Sequence, residues 1–350
     1  MSFANGLIDL RSDTVTHPTP EMRRAMAQAE VGDDVWRDDF TVQRLEERAA
    51  ELTGHEAGLF VASGTMGNLV ALLTHCGRGH EIILGHRAHI YLEEAGGLAA
   101  LGGLMAATVP NQPDGSLRLD DVANAIRSDD EHHPRTRLIG LENTQNICGG
   151  VPLTAAYTRR LADLAHQYNL KLHLDGARIF NAAVAQGVPA ADLAGPADSV
   201  MFCLSKGLSC PVGSLVCGSR DFIAEARRAR KLVGGGMRQV GVLAAAGLVA
   251  LESMIERLDD DHANARRLAA GLREVAAIEI DAGSPHTNML YFTLTRAAKL
   301  SVPELIAQMR TRGILIDGTY DTGRFRLVTH AWVSAADVDK TVAALRELLN

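Results

Sequence analysis

The residues of this chain that could do chemistry stand where short apolar runs end. Lys206 follows SVMFCLS (199–205), and Gly207 follows it at once. The chain holds five lysines against 30 arginines, and this one sits where an ammonium is costly to bury. A lysine in that place is either a snorkelling surface residue or a nucleophile activated by desolvation. Asp175 ends the run LKLHL in HLDGAR, with Arg178 three residues on. It reads as half of a buried ion pair or as the partner of a cationic group. Ser63-Gly64-Thr65-Met66-Gly67-Asn68 follows GLFVA. At a strand-to-helix turn these residues make either a helix N-cap or a cup of open N–H groups for a phosphate. His89, in RAHIYLEEAGG after EIILG, is a helix cap, a core residue or a catalyst. His86 lies three residues before it, which makes half of a metal site, but no third ligand follows at a natural spacing.

Taken together, these signals fit one ligand, an aromatic aldehyde that carries a phosphate and a pyridinium nitrogen. The cup takes the phosphate, Asp175 pairs with the ring nitrogen, His89 stacks on the ring and Lys206 forms the Schiff base. That is the pattern of a pyridoxal 5'-phosphate site. It also accounts for the lysine: once condensed with the aldehyde, it no longer carries a free ammonium.

The elements that must position these residues follow from the apolar pattern. Seven short runs lie at GLFVAS (58–63), EIILG (81–85), GLMAATVP (103–110), RLIGLEN (137–143), LKLHLDG (170–176), SVMFCLS (199–205) and GSLVCG (213–218). Amphipathic stretches such as TMGNLVALLTHC (65–76) and LTAAYTRRLADLAHQYN (153–169) separate them. Near-continuous apolar strands alternating with helices predict an α/β fold with a mostly parallel seven-stranded sheet covered on both faces. Ligands of such sheets bind beyond the carboxyl ends of the strands. After residue 220 the pattern changes. Helical stretches at 219–232 and 238–275 precede strand-like segments at 278–281 and 288–294, a helix at 303–311, strands at 314–317 and 325–329, and a last helix at 334–349. This tail reads as a smaller α/β domain. Pro18 and Pro20 set off an arm before a helix that begins near Glu21. The expected division is an N-terminal arm and helix over 1–30, a large cofactor-binding domain over 31–250 and a small C-terminal domain over 251–350.

Composition narrows the function. The chain has 350 residues, 47% of them hydrophobic and 22% charged, with a formal net charge of −7. That balance argues against a nucleic-acid partner. The opening MSFANGLIDLRSDTVTHP lacks the positive region and apolar core of a signal peptide, and no run approaches the roughly 20 apolar residues of a membrane span. Five cysteines predict reduced thiols in the cytoplasm. Cys203, Cys210 and Cys217 fall seven apart, which is not a metal-ligand spacing. The pairs Asp33/Asp34 and Asp38/Asp39 read as solvated or helix-capping, and no metal is expected. SGTMGN stands where a nicotinamide dehydrogenase would need GxGxxG.

The blocks DLRSDTVTHPTPEMRRAM, EVGDDV, SGTMGNLVALL, AHIYLEEAGG, LENTQN, LHLDGARIFNAA, CLSKGLSCPVGSLV and GGGMRQVGVLAAAGL together resemble the low-specificity L-threonine aldolases, which are fold-type-I pyridoxal phosphate enzymes. The resemblance runs in order from about residue 8 to residue 330. It implies that Lys206 carries the cofactor, Asp175 binds the pyridinium nitrogen, and Gly64 and Thr65 hold the phosphate. Arg238, in GGGMRQ, would add a phosphate contact, from a neighbouring subunit if not its own. Ser12, Arg178 and Arg326 would bind the substrate carboxylate. His89 would stack on the ring and assist the chemistry, and His132 would stand near the substrate side chain, with His133 competing for that place in EHHPRTR. The implied reaction is the reversible retro-aldol cleavage of L-threonine, L-allo-threonine and related β-hydroxy-α-amino acids to glycine and an aldehyde. The implied assembly is a homotetramer built from dimers. A β-eliminating lyase or an aminotransferase with the same cofactor site is the alternative. A non-catalytic binding protein is a third reading.

Overall fold

The seven apolar runs become seven strands of one sheet: β1 (Ala57–Val61), β2 (Glu81–Gly85), β3 (Met105–Val109), β4 (Thr136–Glu142), β5 (Lys171–Asp175), β6 (Ser199–Cys203) and β7 (Ser214–Gly218). Their order is β1-β7-β6-β5-β4-β2-β3. The pairings from β6 through β5, β4 and β2 to β3 are parallel, and β7 runs antiparallel to both β6 and β1. The computed structural model describes residues 1, 3, 6–319 and 322–350.

Alternation along the strands sends side chains to two cores. Phe60 on β1 and Phe202 on β6 face a large cluster with Leu45 and Leu161. Their neighbours Leu59, Val61, Met201 and Cys203 face the opposite cluster with Val70 and Ala226. The helices that supply these layers are α1 (Pro20–Ala27), α2 (Phe40–Thr53), α3 (Gly64–His75), α4 (Ala155–Gln167), α5 (Ile179–Gln186), α6 (Arg220–Leu232) and α7 (Gly241–Ser253). Side-chain caps start several of them: Ser63, Thr154 and Ser219 each accept a hydrogen bond from the third residue of the helix that follows.

The region expected to be helical over 238–275 is two helices, α7 and α8 (Leu258–Leu272). Apolar periodicity continues across both, but Asp259, Asp260 and Asp261 occupy the first turn of α8. Three carboxyl groups together favour a new helix N-terminus over a helix interior. Beyond α8, the antiparallel strands β8 (Ile278–Ile280), β9 (Met289–Leu294), β10 (Asp317–Gly318) and β11 (Arg324–Val328) form a second sheet in the order β10-β11-β9-β8. This sheet shares a separate core with α8, α9 (Val302–Thr311) and α10 (Ala335–Leu349), in which Phe292 and Phe325 stack at 5.0 Å. The segment 314–317, expected as one strand, divides. Ile314–Leu315 pairs in parallel with Ile8–Asp9 of the N-terminal arm, and β10 joins the small sheet. The arm's Leu10 carbonyl also accepts from the Val328 N–H.

The loop from β6 to β7 carries Lys206 and is tightly folded. Leu204 N–H donates to the Gly213 carbonyl at 3.0 Å, and Ser209 N–H donates to the Lys206 carbonyl at 2.9 Å. Gly213 has φ +105°, and a Cβ there would lie 2.5 Å from Phe60 Cζ. Gly213→Ala therefore meets both an unfavourable backbone and a core ring. It should lower stability by roughly 1–3 kcal/mol, seen as a lower urea midpoint. An unchanged midpoint would contradict this reading of the loop.

Candidate active site

The carboxyl ends of β4, β5 and β6 bring the chemistry together. Glu142 and Asp175 are register partners across β4 and β5. Asp175 is buried. Its Oδ1 accepts from Ala177 N–H at 3.1 Å, and its Oδ2 accepts from Asn68 Nδ2 on α3 at 2.9 Å. The second Asn68 N–H goes to Glu94 Oε1 at 2.8 Å, and the same oxygen receives His89 Nδ1 at 2.9 Å. Glu142 accepts from the backbone N–H groups of His89 and Asn146, each at 2.9 Å. His89 is thus fixed at backbone and ring. With its Nδ1–H donated to Glu94, its Nε2 is the free basic position.

The hydrogen bond to Glu94 holds the His89 proton more tightly than usual, with the Asp175 charge adding to it and burial opposing. Burial raises the Glu94 carboxyl. Burial and the Asp175 charge push Glu142 up to about 7, against its two backbone donors. His89, Glu94 and Asp175 offer three atoms within 4.8 Å of one another. That spacing would suit a cation, but the Asn68 amide already supplies donors to both carboxylates.

Lys206 points into a cleft of about 700 Å³ whose walls include Ser12, His89, Arg178, Tyr291 and Arg326. Among the described residues its ammonium makes no hydrogen bond or ion pair. It is half-buried, whereas Lys171, Lys231, Lys299 and Lys340 are exposed. Arg178 is held by Asp13 through two bonds, Nε to Oδ2 at 2.8 Å and Nη2 to Oδ1 at 2.6 Å. Its Nη1 is left for another acceptor. Burial raises the proton affinity of Asp13, but Arg178, with Lys206 and Arg326, outweighs burial and holds the carboxyl well below its usual range. Ser12 caps the short turn Asp13–Val15. Arg326 donates to Asn146 Oδ1 at 3.2 Å. Lys206, Arg178 and Arg326 line the cleft together with Glu93 and Asp317, while Asp175, Glu94 and Glu142 gather at the strand ends around His89, which also lines it.

Gly64 and Thr65 open α3 behind the Ser63 cap. Their N–H groups lie in the first turn and have no helical acceptor. A Cβ on Gly64 would meet Cys203 Sγ at 2.9 Å, so the helix end can approach β6 this closely only with glycine there. Open donors, a buried carboxylate, an unpaired amine and a histidine ring make a donor set that fits pyridoxal phosphate.

Two residues expected at the site stand elsewhere on the chain. His132 lies on an exposed turn, its Nδ1 2.7 Å from Asp130 Oδ1, and His133 on the same turn contacts Ser128. Arg238 is exposed and paired with Asp33 at 2.8 Å. Neither His132 nor Arg238 reaches the cleft of its own chain. Sequence reasoning missed Asp13, Glu94, Glu142 and Tyr291, and read Asn68 only as part of the phosphate cup. All but Tyr291 fall inside the blocks quoted above, but nothing local distinguishes a carboxylate that orients a partner from one that caps a helix.

Glu142 gives a test with a defined sign. Its folded pKa is raised, so the folded chain binds a proton that the unfolded chain has lost between about pH 4.5 and 7. Its contribution to stability falls as pH rises through that window. Glu142→Gln removes the dependence, and its amide adds a pH-independent cost where an N–H faces an N–H. Relative to the parent, the variant should gain about 1 kcal/mol or more on going from pH 5 to pH 8, measured by urea unfolding at both pH values. A difference that is flat or of opposite sign would refute it.

The sequence profile of the family described as Beta-eliminating lyase matches residues 9–295. The Arabidopsis thaliana protein named Probable low-specificity L-threonine aldolase 2 is 47% identical, over 98% of this chain and 97% of its own length. The Low specificity L-threonine aldolase of Escherichia coli (strain K12) is 47% identical, over 98% of this chain and 99% of its own. Among solved structures, the Leishmania major Threonine Aldolase superposes with a TM-score of 0.84 at 22% identity, covering 98% of this chain and all of that one. A Sphingomonas wittichii serine palmitoyltransferase superposes at 0.76 with 17% identity, covering 98% and 87%. At those identities the structural likeness speaks to the fold, which is the fold-type-I arrangement that the sequence resemblance implies. The chain belongs to the beta-eliminating lyase family and, within it, to the low-specificity L-threonine aldolases.

Proposed function

We propose that the cleft holds pyridoxal phosphate on Lys206 and cleaves L-threonine, L-allo-threonine and related β-hydroxy-α-amino acids to glycine and an aldehyde, reversibly. The chain is then an aldehyde-lyase of amino acid metabolism. The observation that carries the reading is the half-buried Lys206, which makes no hydrogen bond or ion pair among the described residues, in a cleft shared with His89, Arg178 and Arg326 and one strand along from the anchored carboxylate of Asp175. When bound, the cofactor supplies an electron sink for the carbon–carbon bond that breaks.

The chain's own residues supply the rest. Asp175 would pair with the ring nitrogen and favour its protonated form. Gly64 and Thr65 donate to the phosphate at the start of α3. Arg178, through the Nη1 that Asp13 leaves open, binds the substrate carboxylate together with Arg326 and Ser12. Planar, paired donors suit a carboxylate and fix its rotation, and that rotation decides which bond at Cα is aligned for cleavage. His89 would stack on the ring, and its Nε2 would take the proton of the β-hydroxyl, with Glu94 stabilising the charge that results. Arg238 and His132, exposed on their own chain, are assigned to the cleft of a neighbouring copy in a homotetramer. Four of the five thiols are buried and all five are free, which fits a reducing compartment such as the cytoplasm. No helix among the described residues is long and apolar enough to cross a membrane.

The test is incubation of the purified chain with pyridoxal phosphate and L-threonine, assayed for acetaldehyde and for keto acid. Acetaldehyde and glycine in equal amounts are expected. Keto acid in their place would instead favour the β-eliminating or transaminating reading. Lys206→Ala should lose about 10³-fold or more of the acetaldehyde rate. Arg326→Leu should raise KM and also lower kcat, because it removes both a hold on the substrate and a constraint on its rotation. A Lys206→Ala chain with parental turnover would rule out the assignment.

A further inference from the structure

A line of buried polar side chains leaves Asp175 on the side away from the cleft, and the reaction above makes no use of it. Asn68 gives one Nδ2–H to Asp175 Oδ2 at 2.9 Å and the other to Glu94 Oε1 at 2.8 Å. Both acceptors are carboxyl oxygens, so the orientation of the amide is fixed and its Oδ1 turns away from the cleft. His173 Nε2 lies 3.1 Å from that oxygen. An amide oxygen only accepts, so His173 carries its proton on Nε2. In the neutral ring its Nδ1 then accepts, from the Ser199 hydroxyl at 2.8 Å. Ser199 has spent its proton and accepts in turn from His75 Nε2 at 2.7 Å. Each proton position is dictated by the one before it. Asn68, His173 and Ser199 are fully buried, at 0% exposure. Burial, aided by His75, holds His173 down at about 3, and burial holds His75 down at about 4. Both rings are therefore neutral at physiological pH, and the order of donors and acceptors is consistent with that.

We propose that Asn68, pinned by His173, is the positioning residue of the cofactor's ring-nitrogen site. One amide aims the Asp175 carboxylate and joins it to the Glu94–His89 pair, so that the group serving the ring nitrogen and the group serving its face are set by a single side chain. His173 keeps that amide from turning over. A turned amide would press its oxygen against two carboxylates, and the Nε2–H of a neutral imidazole is the donor that rewards the correct orientation. The inference deepens the cofactor assignment and rests on it.

The first test needs no cofactor. In apoprotein labelled with ¹⁵N-histidine, His173 should appear as the neutral Nε2–H tautomer at every pH from about 5 to 8. A His173 that titrates in that range, or carries its proton on Nδ1, overturns the proposal and leaves the cofactor assignment standing. The second test uses pyridoxal phosphate labelled with ¹⁵N in the ring. The parent chain should bind it with the ring nitrogen protonated at pH 8, and a parent that binds none overturns the cofactor assignment and this proposal with it. Asn68→Leu should bind the cofactor at least about tenfold more weakly, with the ring nitrogen deprotonated at pH 8. His173→Gln places an amide N–H near the position of the imidazole Nε2–H and should match the parent. His173→Phe should move in the direction of Asn68→Leu, and this pair carries the comparison if Asn68→Leu does not fold. Parental affinity and a protonated ring nitrogen in both Asn68→Leu and His173→Phe would make the line a feature of core packing only and overturn the proposal.

Discussion

Asp175 is a carboxylate buried at the end of the middle strand of the sheet, and the rest of the site is arranged around keeping it satisfied. An isolated carboxylate in such a place would be penalised by several kcal/mol. Here one oxygen takes the Ala177 N–H of the turn that follows β5, and the other takes the Asn68 amide from α3. The parallel order of β4, β5 and β6 puts Glu142 beside it and the Lys206 loop next along. A doubly covered parallel sheet offers this arrangement because its strand ends are the one place where polar groups can gather without interrupting the apolar layers.

The opposite side of the cleft depends on a second buried pair. Asp13 holds Arg178 by two hydrogen bonds and so ties the N-terminal arm to the turn that leads into α5. Breaking a buried pair of this kind typically costs about 3–5 kcal/mol, so the pair is structural as well as functional. The arm is held again by its strand pairing with Ile314–Leu315 and by the bond from Val328 N–H to the Leu10 carbonyl. This wall of the cleft is thus assembled from three distant parts of the chain: the arm with Ser12 and Asp13, the large sheet with Arg178 and Lys206, and the small sheet with Tyr291 and Arg326.

Much of this was legible in the sequence, and the limits have physical causes. All seven strands of the large sheet could be placed because strands buried on both faces read as continuous apolar runs. Lys206, Asp175 and Gly64 could be singled out because each stands at or directly past the end of such a run, and His89 because it follows one by four residues. Asn68 and His173 could not, since their roles come from pairings that span 107 and 105 residues, and each looks locally like an ordinary helix or strand residue. Asp13 was hidden in the same way, 165 residues from Arg178. The long helix expected over 238–275 divides because apolar periodicity runs through the break, and only the three aspartates mark it. His132 and Arg238 were placed at the site by family resemblance alone, and the fold leaves both on the surface of their own chain.

The central claim is that Lys206, the one half-buried lysine, is where a pyridoxal aldehyde is captured. The direct measurement is to incubate the chain with pyridoxal phosphate, reduce with borohydride, and map the peptides by mass spectrometry. The account predicts one reduced pyridoxyl group per chain, carried by Lys206. An unmodified Lys206, with the label spread over the exposed Lys171, Lys231, Lys299 and Lys340, would contradict it.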